Sequence, residues 1–446
     1  MVKDCRDEDY VVMEVNKAML ELRRNGGGPV HINLITTYSR DFSVKELPHV
    51  KVMRRFQAWD ELPVLPEGRI GIYVGSHTHF SEKQNRAIDR FCATYDAVVI
   101  CDHTSGYYGK YKLLPTLVQL QSDITSPFPP LDLMVHIGEI SAASFNDTIP
   151  AKEVWRVSED GELRDPFKKL TTVFQMSEEM FFLHYGKDGC NRHVLIDECR
   201  ELFGEIYEQI PELPFCNIWT AMQLSSRLPK GALFHMGVSN TRRCWNMFQL
   251  PESVESACNV GCCGIDGCVS TLVGASLVNP DRLCYVVVGD LTFFYDLNSL
   301  GNHHIGTNLR VMLVNNGRGT EFRLGIHHCN VFGDDADKYM AAAGHFGNKS
   351  PLLVKHYAED LGFHYLSATT KEEFMTALSN FTNPQLSDHS MILEVFTDSK
   401  DESEALYLMS HIQSDAKGMV RSKLKDAVRN VAGEKGINAI KKILKK

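Results

Sequence analysis

The sequence predicts an α/β protein built on doubly wound parallel sheets. Three observations carry this. Short apolar runs such as Ile70–Val74, Leu283–Val288 and Arg310–Val314 have the length and β-branched content of strands buried on both faces. Helical stretches such as Ser81–Tyr95 and Leu297–His304 stand between them. Gly, Pro, Asn or Asp turns close most of the runs, and strands alternating with helices in this way build parallel βαβ units.

Taken in order, Asp9–Arg24 reads as a helix with Val12, Val15, Met19 and Leu22 on its apolar face. It stops at Asn25-Gly26-Gly27-Gly28, and Pro29–Leu34 then reads as a strand. One helix and one strand do not make a domain, so residues 1–45 look like the end of something larger. Residues 46–190 include a Pro-marked linker, Leu62-Pro63-Val64-Leu65-Pro66. They hold strands at Ile70–Val74, Ala97–Cys101, Asp132–Ile137 and Val154–Val157 around the helix Ser81–Tyr95, a central doubly wound domain. The Gly75-Ser76 turn after the first strand suits a structural role better than nucleotide binding, because one glycine is a weak signal. Residues 191–400 form a third unit. Glu201–Glu208 and Trp219–Leu228 read as helices; Leu233–Met236, Leu283–Val288, Arg310–Val314 and Met391–Phe396 read as strands. Residues 401–446 form a basic helical tail.

Length and composition agree. At about 150 residues per domain, the 446 residues make roughly three units, and 43% hydrophobic with 23% charged residues suits a soluble, well-cored protein. No run approaches the ~18 apolar residues of a membrane span. The polar start Met1–Asp9 is unlike a signal peptide, and an odd set of 13 cysteines suits reduced thiols in a cytoplasm. The net charge of −9 argues against a nucleic-acid binder. Lys417–Lys446 alone carries +8, leaving −17 for the rest; a docked terminal helix accounts for that tail more simply than a lipid contact.

The chemistry concentrates in Gly289-Asp290-Leu291-Thr292-Phe293 and Asn315-Asn316-Gly317-Arg318. Each group ends an apolar strand, where open α/β sheets bind ligands. A carboxylate from one strand end and an amide oxygen from the next can share a hard cation. Mg²⁺ takes oxygen ligands and commonly keeps substrate phosphates in its shell. The pattern therefore reads as a Mg²⁺–diphosphate site.

An acidic residue after a strand-ending glycine, with paired asparagines about 25 residues on, resembles the signature of thiamine-diphosphate-dependent enzymes. Most of that family has glycine at the third motif position, where this chain has Leu291. The menaquinone-pathway SEPHCHC synthases, which act on isochorismate and 2-oxoglutarate, also have leucine there. Gly264-Ile265-Asp266-Gly267 with Ser270-Thr271, and Gly237 with Ser239, are similar to further motifs of that branch. Gly28–Leu34 resembles the last strand of the family's pyrimidine-binding domain. The resemblance implies thiamine diphosphate and Mg²⁺ as cofactors. Asp290 and Asn316 would ligate the metal by side chain and Arg318 by its carbonyl. Ser239, Gly289, Leu291 and Thr292 would line the diphosphate. Cys263, Gly264, Ile265 and Phe322 would line the rest of the cofactor, with Ile265 as the wedge that bends it.

Departures bear on the substrate. Val260 stands where the SEPHCHC branch has an arginine for a substrate carboxylate, Arg243 matches a second such arginine, and Glu321 replaces an apolar substrate-facing residue. A 2-oxoacid substrate with a different acceptor follows. The rival readings are a plain 2-oxoacid decarboxylase or acetohydroxyacid-type synthase, and a non-catalytic cofactor-binding subunit. The resemblance further implies a homodimer or homotetramer. The family's activating glutamate has no counterpart here, since Glu14 and Glu21 lie on what reads as the last helix of that domain. No catalytic residue is expected in this chain, and activity would require a pyrimidine-domain chain or a longer reading frame. Cys258, Cys262, Cys263 and Cys268 fit no zinc spacing well. The pair His303-His304, neighbours on a predicted helix, should point apart. His327-His328 suits surface or core hydrogen bonding better than proton donation to substrate.

Overall fold

The computed structural model describes residues 5–34, 38, 40, 43, 45–46, 50–124, 128–139, 149–261, 263–324, 327–339, 347 and 349–414. The basic stretch 417–446 lies outside them. In chain order the elements begin with α1 (Cys5–Glu21), β1 (Arg54–Gln57), β2 (Ile70–Val74), α2 (Glu82–Tyr95), β3 (Val98–Ile100), β4 (Lys112–Leu113) and α3 (Thr116–Leu120). They continue with β5 (Leu131–Ile137), β6 (Ala151–Ser158), β7 (Leu170–Gln175), α4 (Glu178–Tyr185), α5 (Val194–Glu208) and α6 (Asn217–Leu224). Next come β8 (Leu233–Met236), α7 (Asn240–Trp245), β9 (Glu255–Cys258), α8 (Cys268–Val278), β10 (Cys284–Gly289), α9 (Asp290–Asp296) and β11 (Leu309–Asn315). The last are α10 (Leu353–Asp360), β12 (His364–Ala368), α11 (Lys371–Phe381), β13 (Met391–Phe396) and α12 (Ser399–Ser410).

The chain divides into two compact units. The first comprises Met1–Cys101, Tyr107–Leu113 and Phe128–Cys199; the second comprises Asp102–Gly106, Leu114–Pro127 and Arg200–Lys446. Each is built on a parallel sheet, so the α/β class predicted from the strand–helix alternation holds.

In the first unit the strand order is β1-β7-β6-β5-β2-β3-β4. All five residues of β2 are buried, as an inner strand with two covered faces requires. Ser81 starts α2 with a capping box: its hydroxyl accepts from the Gln84 amide at 3.3 Å, and the Gln84 side chain accepts from the Ser81 amide at 2.9 Å. Such a cap stabilises a helix by about 1 kcal/mol. Ala87, Ile88, Phe91 and Cys92 form its buried face.

The order reverses between β2 and β5, the place where a doubly wound sheet would hold a ligand. Here the two loops pair with each other instead. The Gly75 amide donates to Ile137 O at 2.9 Å, Ser76 to Glu139 O at 2.6 Å, and Glu139 back to Ser76 O at 2.9 Å. The amides a phosphate would use are thus engaged. A Cβ on Gly75 would stand 2.1 Å from Glu139 O, which accounts for the glycine without a nucleotide.

Two expectations for the N-terminal segment change. The α1 residues Val15 and Met19, with Leu22 beyond the helix end, are 37%, 56% and 37% exposed, so that stripe is not a buried face. The helix is tied down by a polar residue instead: Asn16 donates to Lys51 O at 2.9 Å and accepts from the Met53 amide at 2.8 Å. Pro29–Leu34 is not a strand, and Val30, Ile32 and Leu34 are exposed. A strand exists through its neighbour's hydrogen bonds, and among the described residues none pairs with this run.

In the second unit the order is β12-β13-β11-β10-β8-β9. β11 is buried at all seven positions and β10 at its first five. Val269 and Leu272 of α8, and Phe293 of α9, pack with Val286, Val288 and Leu313 in one core. Burying a phenylalanine such as Phe293 contributes roughly 2–3 kcal/mol and anchors α9, whose first residue is Asp290.

Candidate active site

In the second unit the sheet reverses between β8 and β10. β8 leads out to β9, whereas β10 leads to β11 on the opposite side. Ligands of open α/β sheets bind at that reversal, beyond the carboxyl ends of the strands. Met236 is the register partner of Val287, and Gly289 that of Val314, so three loops leave the same sheet edge side by side. They carry Gly237–Ser239, Gly289–Asp290 and Asn315–Arg318.

Asp290 is buried, and its Oδ1 accepts from the Leu291 amide at 2.8 Å. The adjoining asparagines have different surroundings. Asn315 is fixed three ways: its Nδ2 donates to Glu394 Oε1 at 2.7 Å, its Oδ1 accepts from the Gly317 amide at 3.3 Å, and its carbonyl accepts from Thr397 at 3.2 Å. Glu394 also accepts from Tyr365 Oη at 2.7 Å, and burial raises its pKa despite these bonds. Asn316 Oδ1, by contrast, is buried with no hydrogen-bond donor among the described residues. A buried amide oxygen left in this state costs about 1–3 kcal/mol, which a bound cation would offset. Gly317, at φ +79°, supplies the left-handed turn that sends the chain back across the sheet edge. The Arg318 carbonyl accepts from Thr320 at 3.0 Å and retains its second lone pair. One carboxylate, one unsatisfied amide oxygen and one carbonyl make an all-oxygen donor set that suits Mg²⁺.

The Gly264–Gly267 loop is held beside these residues through α9. Asp296, the last residue of α9, accepts from the Ser270 amide in the first turn of α8 at 2.7 Å. Thr271 Oγ1 donates to Gly267 O at 2.6 Å, and Asn259 donates to Thr271 at 3.2 Å. Ile265 is half-buried, leaving apolar surface for a ligand to cover. Backbone strain marks two positions: Ser239 at φ +60° and Cys263 at φ +52°, both exposed and neither a glycine. Leu291 is half-buried and Thr292 buried at the start of α9.

The described cysteines of this region form no metal cluster. Burial holds the Cys258 thiol up at about 12 and the Cys268 thiol at about 11, where both keep their protons. Cys263 and Cys268 turn to the carbonyls of Val260 and Gly264 at 3.6 and 3.8 Å. Among the described residues no group of three or more His, Cys, Asp or Glu could hold a metal, and Cys262 lies outside them.

Arg243 is not free to meet a ligand. Its Nη2 donates to Glu321 Oε1 at 2.7 Å and its Nη1 to Glu321 Oε2 at 3.0 Å. Burial opposes the guanidinium charge, yet the bonds to Glu321 and its negative charge outweigh that and raise the Arg243 pKa. Phe322 stands edge-on to His327 at 5.2 Å, and His327 Nδ1 accepts from the Cys329 amide, a local structural bond. The side chain of His328 lies outside the description. The helix expected over Leu297–His304 ends at Gly301 as a 3₁₀ turn. His303 and His304 follow in a turn with ring centroids 3.8 Å apart, so they do not point apart as a helix would require.

No family model matches the chain. It is 28% identical over 428 residues to the 2-succinyl-5-enolpyruvyl-6-hydroxy-3-cyclohexene-1-carboxylate synthase of Bacteroides thetaiotaomicron, covering 90% of this chain and 73% of that one. It is 29% identical over 433 residues to the protein of the same name from Bacteroides fragilis, with the same coverage. A third, from Christiangramia forsetii, is 33% identical over 199 residues, 45% of this chain and 33% of that one. Over nine-tenths of its length the chain is thus similar to SEPHCHC synthases, which are thiamine-diphosphate-dependent enzymes.

Several residues that shape the site escaped the sequence. Glu394, Thr397, Glu402 and Asp296 support the loops from elsewhere in the chain. Glu402 accepts from Thr397 Oγ1 at 2.9 Å, and Thr397 in turn holds the Asn315 carbonyl. One signal was available: Glu394 is a lone carboxylate inside the apolar run Met391–Phe396, and an acid there needs donors. Glu21 pairs with Arg55 at 2.7 Å and with Arg24 at 3.4 Å, and these partners outweigh burial to lower its pKa. It is a structural ion-pair residue of the first unit.

Proposed function

We propose that this thiamine-diphosphate enzyme binds its cofactor with Mg²⁺ at the β8–β10–β11 edge and decarboxylates a 2-oxoacid. Transfer of the resulting fragment goes to an acceptor other than isochorismate. The observation that carries this is the all-oxygen donor set at the sheet reversal, with the buried, unsatisfied Asn316 Oδ1 beside the Asp290 strand end. Asp290, Asn316 and the Arg318 carbonyl would hold the metal. Ser239, Gly289, Leu291 and Thr292 would face the diphosphate. Cys263, Gly264, Ile265 and Phe322 would line the rest of the cofactor, with half-buried Ile265 packing against its apolar body. When bound, the cofactor supplies an electron sink for the carbanion left as a 2-oxoacid loses CO₂. The loops of this chain orient it, and their rigidity keeps reacting atoms aligned.

Two observations favour a changed or absent acceptor. Val260 is buried and apolar, and Arg243 is already engaged by Glu321. Neither is available to a carboxylated acceptor, so the second reading is a 2-oxoacid decarboxylase without transfer. In keeping with a family whose sites form between chains, the assembly is proposed as a homodimer or homotetramer, with a pyrimidine-domain chain as a further candidate partner. The test is a panel of 2-oxoacids assayed for CO₂ release with thiamine diphosphate and Mg²⁺, with and without candidate acceptors. Metal-dependent CO₂ release from at least one oxoacid is expected. Efficient condensation of 2-oxoglutarate with isochorismate would contradict the changed acceptor.

A further inference from the structure

Arg243 lies on α7, four residues after Ser239 in the loop that follows β8. Glu321 lies in the 3₁₀ turn Thr320–Arg323, just after the Asn316–Arg318 loop that follows β11. β8 and β11 flank β10, so this ion pair spans the strand whose end carries Gly289 and Asp290. Both guanidinium Nη atoms meet both carboxylate oxygens, a planar two-pronged pair of the kind that selects carboxylates over other anions. Arg243 has a second anchor, because its Nη1 also donates to Asn240 Oδ1 at 3.3 Å. Glu321 has no other hydrogen bond or ion pair among the described residues. The arginine is therefore a fixed seat and the glutamate its occupant. Their side chains are 19% and 23% exposed, so the pair is reachable from solvent.

We propose that Glu321 is a built-in plug in a carboxylate seat formed by Arg243, and that it sets specificity by excluding ligands that carry a carboxylate at this position. Tethered three residues beyond Arg318, it competes as an intramolecular ligand at an effective concentration of order millimolar. A free carboxylate must displace it and leave the Glu321 charge unpaired. Discrimination of this sort works by repulsion as much as by attraction. The proposal rests on reading this sheet edge as the substrate site, and it specifies which substrates that site refuses.

The experiment is calorimetric titration of the purified chain with succinate, a simple dicarboxylate probe, and with its neutral counterpart succinamide. Wild type, Glu321→Ala and the double variant Glu321→Ala with Arg243→Met are compared. Succinate should bind Glu321→Ala at least about tenfold tighter than wild type, the gain should vanish in the double variant, and succinamide should not distinguish the three. Glu321→Gln, which retains the shape, serves as the second variant should alanine prevent folding, and it should show a smaller gain of the same sign. Equal succinate affinity in wild type and the folded Glu321 variants would overturn the proposal. Thiamine diphosphate is titrated in parallel with Mg²⁺. A succinate gain without cofactor binding would uphold the seat and refute the cofactor reading; cofactor binding without a succinate gain would do the reverse.

Discussion

Glu402 is fully buried at the start of α12, and its Oε1 accepts from the Asn217 amide and Thr397 Oγ1, both at 2.9 Å. Burial pushes its pKa from 4.5 up to about 7; the two hydrogen bonds oppose this, while Asp401 and Asp398 add to it. Folding thus favours the protonated acid. A carboxyl group whose pKa is higher when folded contributes its full stability below the unfolded value, near 4.5, and loses it as pH rises through about 7. At about 1.4 kcal/mol per pH unit, the whole window is worth ~3 kcal/mol. Glu402→Gln keeps the accepting oxygen and removes the charge. Urea denaturation at pH 5, 6, 7 and 8 should show the variant ahead of wild type by only ~1 kcal/mol at pH 5. By pH 8 the variant should be more stable by ~3 kcal/mol. Wild-type and variant stabilities that run parallel across this range would refute the reasoning.

Three further substitutions probe the site, one of its supports and the first unit. Glu394→Leu leaves Asn315 Nδ2 and Tyr365 Oη without their acceptor and should cost roughly 2–5 kcal/mol by urea denaturation, with weakened cofactor binding because Asn315 anchors the metal loop. Gly75→Ala forces a methyl to 2.1 Å from Glu139 O and should destabilise the first unit by about 2 kcal/mol or more, read as a lowered Tm. Gly289→Ala meets nothing within 4 Å, so Tm should hold within a few degrees, while thiamine diphosphate affinity should fall if the diphosphate occupies that open space as proposed.

Much of this was legible because inner strands announce themselves. Ile70–Val74, Leu283–Val288 and Val311–Val314 are almost wholly apolar, since both faces are covered. The inner strand Leu170–Gln175 escaped because two threonines interrupt its apolar run, and most other strands that escaped are of another kind. Arg54–Gln57 carries two arginines at a sheet edge, Glu255–Cys258 is mostly half-buried at another, and Lys112–Leu113 is only two residues long. Helix α8 was missed because CVSTLVGASLV is small or apolar on every side and shows no periodicity. The run Pro29–Leu34 misled in the opposite direction, as apolar alternation says nothing about whether a partner strand is present. At the site, Asp290 and Asn316 were readable from local spacing. Their supports were not, because Glu394 and Asn315 are 79 residues apart and only the fold joins them. The closure of Arg243 by Glu321, 78 residues on, was hidden for the same reason.

The central claim is that the β10 and β11 loops hold a Mg²⁺–diphosphate group through Asp290 and Asn316. Calorimetry of thiamine diphosphate binding, with and without Mg²⁺, tests it on wild type, Asp290→Ala and Asn316→Ala. The wild-type chain should bind in a metal-dependent manner. Both variants should lose that dependence while keeping the wild-type circular dichroism spectrum. Cofactor binding to Asp290→Ala with unchanged affinity and unchanged metal dependence would contradict the account.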